Sequence, residues 1–262
     1  MNSNRKSRSK LGTPATQLAF IAVILVFWEA AARSNPQPYL PQLSSVASSY
    51  VELYSPEALR EIVLPSVFRV VVGFTLGVAG GAVLGLAMGF IRGLEPWVRP
   101  VLEFFRAIPA AAILPGALLL LGSTDTMRVS IIALGCTFPV LLAALDGARG
   151  VDALMIDTAR ISGLSRMQIL RRVIAPAALP KIFAGTRTAL GLALIMMVIS
   201  ELMASDNGLG HFILQAQRLF QAADVYAGVL LIGTIGFLFT ALTLRLESRL
   251  LRWHSGWRQL PA

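Results

Sequence analysis

Long apolar stretches alternate with short polar segments along most of this chain, a pattern that predicts helices crossing a membrane. A helix needs about 20 largely apolar residues to cross the ~30 Å hydrocarbon core of a bilayer. Six stretches approach or exceed that length: Ala15–Ala32, Leu64–Ile91, Pro100–Leu121, Met127–Ala148, Phe183–Ala204 and Val225–Leu244. Pro109 and Pro115 interrupt the third stretch, and Pro139 lies in the fourth. Because proline frees backbone groups that lipid cannot satisfy, we expect these two spans to be buried inside the bundle.

Glycines recur at every fourth position of the second span. The register runs Gly73, Gly77, Gly81, Gly85, Gly89 and Gly93. Lipid tails are as apolar as leucine, so membrane helices associate by close backbone approach, which small residues at this spacing permit. Four residues advance about 400° around a helix. The row is therefore expected to wind around the helix and to touch different neighbours at different depths. Static packing and helices that slide during transport both remain open as its purpose, with Gly77, Gly81 and Gly85 as the candidate residues.

Composition supports a membrane protein and excludes a large soluble α/β domain. Of the 262 residues, 55% are hydrophobic and 14% are charged, whereas soluble domains carry about 25% charged residues. The mean hydropathy is +0.69. The start also resembles a secretory signal, with basic residues, an apolar stretch and then "EAAARS". We expect an uncleaved first span instead, because the apolar run is nearly full length and further spans follow.

The basic residues predict the orientation of the spans. The formal net charge is +9, and lysines and arginines concentrate in the N-terminal tail, the 92–100 segment, the 149–182 segment and the C-terminal tail. Under the positive-inside rule both termini and the 149–182 segment are cytoplasmic. Acidic lipid headgroups are the natural counter-charge, and nothing in the pattern favours nucleic-acid binding. The predicted organisation is a tail over 1–14, a membrane domain over 15–248 and a tail over 249–262.

The chain lacks groups that would power transport by themselves. None of its three lysines follows a glycine, so it has no G-x-x-x-x-G-K-[ST] phosphate loop. Its two histidines and one cysteine cannot supply an ordinary zinc site, and no cofactor is expected. Ionisable groups within the spans are few, with Glu29, Arg106 and Glu201 near the interfaces. Thr137 and Ser200 join Arg106 and Glu201 as pathway candidates. The energy is therefore expected to come from a partner.

The 149–182 segment is too charged to span a membrane and too patterned to be a loose linker. A first helix runs towards Ile161, and Gly163 suits the left-handed position after a helix. Ser165 with Gln168 three residues later is typical of a capping box that starts a second helix. Pro176 is predicted to end that second helix.

The second helix of this segment carries an apolar stripe of Met167, Leu170 and Ile174, flanked by Arg166 and Arg171. An exposed apolar and basic surface of this kind indicates a protein partner. The alternative is that the segment folds back on the membrane face of its own chain.

Met155–Pro180 resembles the cytoplasmic signature of binding-protein-dependent ABC importer permeases, E-A-A-x-x-x-G followed by I-x-L-P. Asp157, Ala159, Gly163 and Pro176 occupy the matching positions. Further similarities, "FWEAA", "SVFRVVVGF", "FFRAIPAAAILP", "SDNGLGHF" and "ESRLLRW", extend over nearly the whole chain. They point to the nitrate, sulfonate and taurine branch of the family.

This resemblance implies a type I permease fold of about six transmembrane helices and a homodimer in the bacterial cytoplasmic membrane. Each 149–182 segment would dock on a separate ATP-hydrolysing subunit, so the chain itself is not an enzyme. A soluble extracytoplasmic binding protein would deliver the cargo, and the segments 35–62 and 205–224 would meet it or only seal the bundle. The residues implied in ATPase coupling are Asp157, Ala159, Gly163, Leu164, Ser165, Gln168 and Pro176.

The expected cargo is a small anion such as an alkanesulfonate, taurine or nitrate. Three alternatives remain: the same architecture carrying a vitamin precursor, a stand-alone secondary carrier or channel, and a membrane assembly factor without cargo.

Overall fold

The computed structural model describes residues 14–91, 93 and 95–252, and this part of the chain is almost entirely helical. An isolated β-bridge joins Gln37 and Leu40. The helices are α1 Pro14–Ser34, α2 Leu43–Glu52, α3 Pro56–Phe90, α4 Glu95–Ala107, α5 Leu114–Leu121, α6 Asp125–Arg149, α7 Ala153–Ile161, α8 Arg166–Ala204, α9 Leu209–Arg218 and α10 Ala222–Leu250. Most of the predicted tails 1–14 and 249–262 lie outside the described residues.

Five described helices, α1, α3, α6, α8 and α10, are long and apolar enough to cross a membrane. They correspond to the first, second, fourth, fifth and sixth predicted spans. The all-α polytopic membrane fold is therefore confirmed.

The third predicted span, Pro100–Leu121, is wrong as a continuous helix. The chain breaks after α4 at Ile108 and Pro109, makes one 3₁₀ turn over Ala110–Ile113, and continues as the eight-residue α5. Proline disfavours helical geometry in the residue before it, and Pro109 itself is extended at φ −58° and ψ 123°. Two helices of this length cannot each cross the bilayer.

The expectation that the third span is buried inside the bundle holds for part of it, since Leu102, Leu114 and Ala117 are buried, whereas that for the fourth is confirmed. Leu119 and Leu120 of α5 are 88% and 86% exposed. By contrast, α6 with Pro139 is central, with α3 on one side and α8 on another. Pro139 is tolerated because neighbouring helices surround the backbone that it disturbs.

The five glycines of the row that lie in α3 all face one neighbour, contrary to the predicted winding. A Cβ atom on Gly77 would lie 2.5 Å from the carbonyl oxygen of Ala133, and one on Gly81 would lie 2.6 Å from that of Thr137. Gly73, Gly85 and Gly89 contact α6 in the same way, at successive depths. Helices that pack through rows of residues four apart cross at an inclination, which takes up the angular drift of the row. Gly93 has no neighbour at this distance.

Pro176 does not end the second helix of the 149–182 segment, contrary to the prediction. One π-helical turn over Leu170–Ile174 precedes it, in which the Ala175 amide donates to the Leu170 carbonyl, and α8 then continues to Ala204. The same device occurs in α3, where a π turn over Leu59–Val63 precedes Pro65. The wider turn lets the hydrogen-bond register restart beside a residue that has no amide donor.

The first helix, α1, lies at the edge of the bundle and is held near its C-terminal end. The Trp28 indole donates to the Pro41 carbonyl at 3.0 Å, and the Leu43 amide at the start of α2 donates to Glu29 at 2.6 Å. Glu29 also pairs with Arg33 at 2.7 Å. Glu29 therefore ties α1 to α2 rather than pointing into the membrane.

Candidate functional site

The 149–182 segment folds as two helices joined by a turn whose hydrogen bonds are all local. Gly163 has φ +77°, which suits glycine, and the Leu164 amide donates to the Ala159 carbonyl at 3.1 Å, the pairing of a Schellman cap. The Ser165 amide donates to the Gln168 side chain at 2.8 Å, and the Gln168 amide donates back to the Ser165 hydroxyl at 3.4 Å. The turn is thus fixed at both sides by the residues that the sequence indicated.

The helix α7 has a buried face and an exposed apolar face. Ile156 and Ala159 pack with Ile169 and Ile174 of α8 and with Ala148 at the end of α6. On the other side, the exposed apolar side chains are Leu154 at 71%, Met155 at 52% and Ile161 at 89% exposure. An apolar face of this kind is a candidate protein contact.

The predicted stripe of Met167, Leu170 and Ile174 is divided between these two environments. Ile174 is buried, Leu170 is half-buried, and Met167 is exposed. The segment therefore packs partly on its own chain and also leaves an exposed apolar surface, on which a protein partner remains a prediction. Among the residues matched to the family signature, Asp157 is exposed and pairs with Arg160 at 3.1 Å, while Ala159 is buried.

A charge cluster at the opposite end of the bundle is formed by the buried Arg69, Arg128 and Glu201 together with Asp125, whose side chain is 57% exposed. It is called the buried charge cluster below. Arg69 is 1% exposed and Glu201 is not exposed, and their Nη1 and Oε1 atoms are 2.7 Å apart. Arg69 also donates from Nε to Asp125 at 2.8 Å and from Nη2 to the Asn207 side chain at 2.5 Å.

The second arginine completes the cluster. Arg128 pairs with Asp125 at 3.1 Å and donates to the Ser123 hydroxyl at 2.9 Å and to the Ala204 carbonyl. With two arginines and two carboxylates the cluster is neutral. Charges removed from water are tolerated when they are paired, and the bonds of Arg69 join α3 to the start of α6 and to the last turn of α8. Within the described residues, the buried Nε atom of Arg128 has no hydrogen-bond partner.

Among the three predicted pathway residues whose side chains the structure describes, Glu201 is the one that belongs to this cluster. Ser200 is buried and bonds back to the Met197 carbonyl at 2.9 Å, and Thr137 bonds back to the Ala133 carbonyl at 2.8 Å. Both are therefore satisfied within their own helices. Glu201 belongs to the cluster, and the side chain of Arg106 lies outside the described residues.

Sequence reasoning missed Arg69, Asp125 and Arg128 as members of one site. A signal was present, since an arginine inside an apolar span needs a partner. Arg69 stands in "SVFRVVVGF", five residues into the second predicted span. Which carboxylate it meets depends on the packing of helices that are distant in sequence.

A largely apolar cavity of about 580 Å³ lies between the α4–α5 break, α6 and α8. Phe105, Pro109, Phe138 and Pro139 contribute to its walls, and the Phe105 and Phe138 rings stack with centroids 6.4 Å apart. These residues were not selected from the sequence either. The cavity lies beside the break between α4 and α5 at Pro109, so this proline is the sequence signal that could have indicated the cavity.

Comparison with known proteins agrees with this architecture. The family described as "Binding-protein-dependent transport system inner membrane component" matches residues 77–252. A solved structure, "Inward facing conformations of the MetNI methionine ABC transporter", aligns with a TM-score of 0.61 at 19% identity, over 73% of this chain and 95% of that one. This similarity shows that the two chains share a fold, and no more than that.

Three curated relatives match most of the chain. The "Putative aliphatic sulfonates transport permease protein SsuC" of Bacillus subtilis is 32% identical over 90% of this chain and 86% of its own. The "Taurine transport system permease protein TauC" of Escherichia coli is 33% identical over 89% and 88%. The "Riboflavin transport system permease protein RibX" of Chloroflexus aurantiacus is 34% identical over 94% and 91%. The chain belongs to the family of inner membrane components of binding-protein-dependent transport systems, and it is an ABC transporter permease, not an enzyme.

Proposed function

We propose that this permease moves a small organic sulfonate or a related anion into the cell, driven by ATP hydrolysis on a separate subunit. The observation that carries the proposal is the apolar face of α7, formed by Leu154, Met155 and Ile161 on a helix whose other face is buried. A partner that grips this face moves α7, and the packing of Ile156 and Ile174 carries that movement to α6 and α8.

The proposed orientation places the 149–182 segment in the cytoplasm and the buried charge cluster at the outer end of the bundle, in the bacterial cytoplasmic membrane. The segment carries Arg149, Arg160, Arg166, Arg171, Arg172 and Lys181. Basic residues are retained on the cytoplasmic side of membrane proteins. An ATPase is a cytoplasmic partner, whereas the binding protein meets the outer face, where α2 and α9 lie.

Two copies of the chain are proposed to enclose the pathway. The α4–α5 region exposes Leu119 and Leu120 and borders the cavity of about 580 Å³. A second copy against this region would cover the apolar surface and enclose the cavity. A chain that opens and closes such a pathway alternates between two packings, with nucleotide binding to the ATPase shifting their populations.

The names of the relatives support a sulfonate cargo, and they also support a vitamin-type cargo as the second candidate. Two of them are described as permeases for aliphatic sulfonates and taurine. The riboflavin permease is equally similar over a comparable length, so a vitamin-type cargo is the second candidate. In either case the binding protein is proposed to select the cargo.

The test reconstitutes the permease in liposomes with its ATPase and binding protein and measures ATP-dependent uptake of taurine, nitrate and riboflavin. Uptake of taurine that needs all three components is the expected result. Uptake by the permease alone under an ion gradient would instead identify a secondary carrier.

A variant tests the docking surface in the same preparation. Ile161→Asp places a charge on a side chain that is 89% exposed, so folding should be preserved while co-purification of the ATPase is lost. Tyr39→Asp is the matched control, since Tyr39 is also an exposed large side chain but lies between α1 and α2. Undiminished co-purification with Ile161→Asp would contradict α7 as the docking element.

A further inference from the structure

The backbone donors at the start of α9 are satisfied by other helices. The first amides of a helix have no partner within it. Here the Gly208 amide donates to the Glu61 carbonyl at 3.2 Å, the Leu209 amide to the Ser66 hydroxyl at 2.8 Å, and the Gly210 amide to Oε2 of Glu201 at 2.9 Å. The start of α9 is therefore attached to α3 by two bonds and to α8 by one.

The Glu61 carbonyl is available because of Pro65. In a regular helix the carbonyl of residue 61 would accept from the amide of residue 65, but proline has no amide hydrogen. The π turn over Leu59–Val63 lies at the same place. The carbonyl that loses its usual donor at Pro65 is therefore the one that accepts from the Gly208 amide.

Glu201 fits against α9 only because two residues there are glycine. A Cβ atom on Gly208 would lie 2.7 Å from the Glu201 carboxylate, and one on Gly210 would lie 2.6 Å from the Glu201 Cβ. Gly208 also has φ +100°. The negative carboxylate at a helix N-terminus is favoured by the helix dipole. A shift of α9 against α8 would therefore break hydrogen bonds to a fully buried carboxylate.

The helix that carries Glu201, α8, is also the second helix of the 149–182 segment. α8 is 39 residues long, about 58 Å at the rise of an α-helix. At its first turn Ile169 packs against the buried face of α7, and at its last turn Glu201 holds α9. One helix thus connects the proposed ATPase contact to an outer helix.

We infer that Glu201 is a positioning residue for transport: it fixes α9 to the end of α8, so that contact of the binding protein with the outer face reaches α7 through α8. This inference rests on the proposed function. It assigns to the buried charge cluster the communication between the two partners, with Arg69 holding the Glu201 carboxylate in place.

The experiment compares basal ATP hydrolysis with hydrolysis stimulated by taurine-loaded binding protein, using the full complex in lipid nanodiscs. Glu201→Gln keeps the size of the side chain and removes its charge, while Arg69 keeps its bonds to Asp125 and Asn207. Stimulation is expected to fall by about fivefold or more, the lower end of typical coupling between two sites, while basal hydrolysis and ATPase co-purification stay at the wild-type level. Gly191→Ala is the matched control, because Gly191 lies on the same helix with no atom within 4 Å of an added Cβ.

Ser66→Ala is the second variant, since it removes the acceptor for the Leu209 amide and a hydroxyl that donates to the Glu201 carboxylate at 2.8 Å, while it leaves the charges of Glu201 and Arg69 in place. It should show the same separation of stimulated from basal rates. Full stimulation in both variants, or an equal fall of basal and stimulated rates, would overturn the inference. If neither variant assembles, the cluster serves folding and the inference is overturned as well. A wild-type complex that shows no stimulation would instead overturn the proposed function and, with it, this inference.

Discussion

Arg69 and Glu201 show that a buried charged residue depends on a partner that is distant in sequence. Each charge alone would be costly away from water, and together they satisfy each other. The sequence indicated Glu201 as an unusual residue but could not indicate its partner, because the two lie on different predicted spans. The glycines of α3 behave similarly: their spacing predicted close packing, whereas the identity of α6 as the single neighbour came from the helix crossing.

Replacing Arg69 by glutamine should destabilise the protein by roughly 3–5 kcal/mol, because Glu201 is left as an uncompensated buried charge. The double variant Arg69→Gln with Glu201→Gln should recover much of this loss. Chemical unfolding of the detergent-solubilised protein, followed by tryptophan fluorescence, measures both. Additive effects of the two substitutions would contradict a direct interaction.

Gly81 and Gly80 form a matched pair for the glycine row. Gly81→Ala brings a Cβ within 2.6 Å of the Thr137 carbonyl, so α3 and α6 must separate, whereas Gly80→Ala points into open space. Overpacking costs about 1–3 kcal/mol, so Gly81→Ala should lower the thermal unfolding midpoint while Gly80→Ala leaves it unchanged or raises it. Equal midpoints would show that the close contact contributes nothing to stability.

At the scale of the element, proline accounts for both of the main errors of prediction. Pro109 divides the third span, which the apolar pattern presented as continuous, and Pro176 fails to end a helix that it was expected to stop. The difference lies in what precedes each proline: a π turn before Pro176 and none before Pro109. Hydrophobicity does not reveal such a turn. The helix caps, by contrast, were predictable because Gly163, Ser165 and Gln168 act through neighbours in sequence.

The turn between α7 and α8 gives a prediction for this element. Gly163→Ala must adopt a left-handed backbone that costs an alanine about 1–2 kcal/mol, so the turn should loosen and ATP-driven uptake should fall. Gly163→Asn should retain most of the uptake, since asparagine tolerates that conformation. Uptake measured in liposomes distinguishes the two, and an equal loss would point to a need for the small size of glycine instead.

At the scale of the whole molecule, the directions of the long helices place the 149–182 segment at one end of the bundle and the buried charge cluster at the other. The helices α3 and α6 run parallel, since successive glycines of α3 meet successive residues of α6, and α8 returns between the 149–182 segment and the buried charge cluster. The number of long apolar stretches and their charge bias were readable from the sequence. The assembly of the cluster and of the cavity was not, because both require several helices at once.

Cysteine labelling in intact cells tests this arrangement. Ser165→Cys should resist a membrane-impermeant maleimide until the cells are opened, whereas Gln217→Cys in α9 should react from outside. The native Cys136 is buried and should remain silent. Reaction of Ser165→Cys in sealed cells would invert the proposed orientation.

The peripheral position of α1 has a consequence for how this chain can change over time. Only about 6% of its span is buried, and its ties to the rest are concentrated near Trp28 and Glu29. Selection on the remaining positions of α1 therefore acts on the length and the hydrophobicity of the helix, and hardly on which apolar amino acid stands at each position. Related chains should accumulate differences faster in α1 than in α6, and some should dispense with this helix while keeping the remaining bundle.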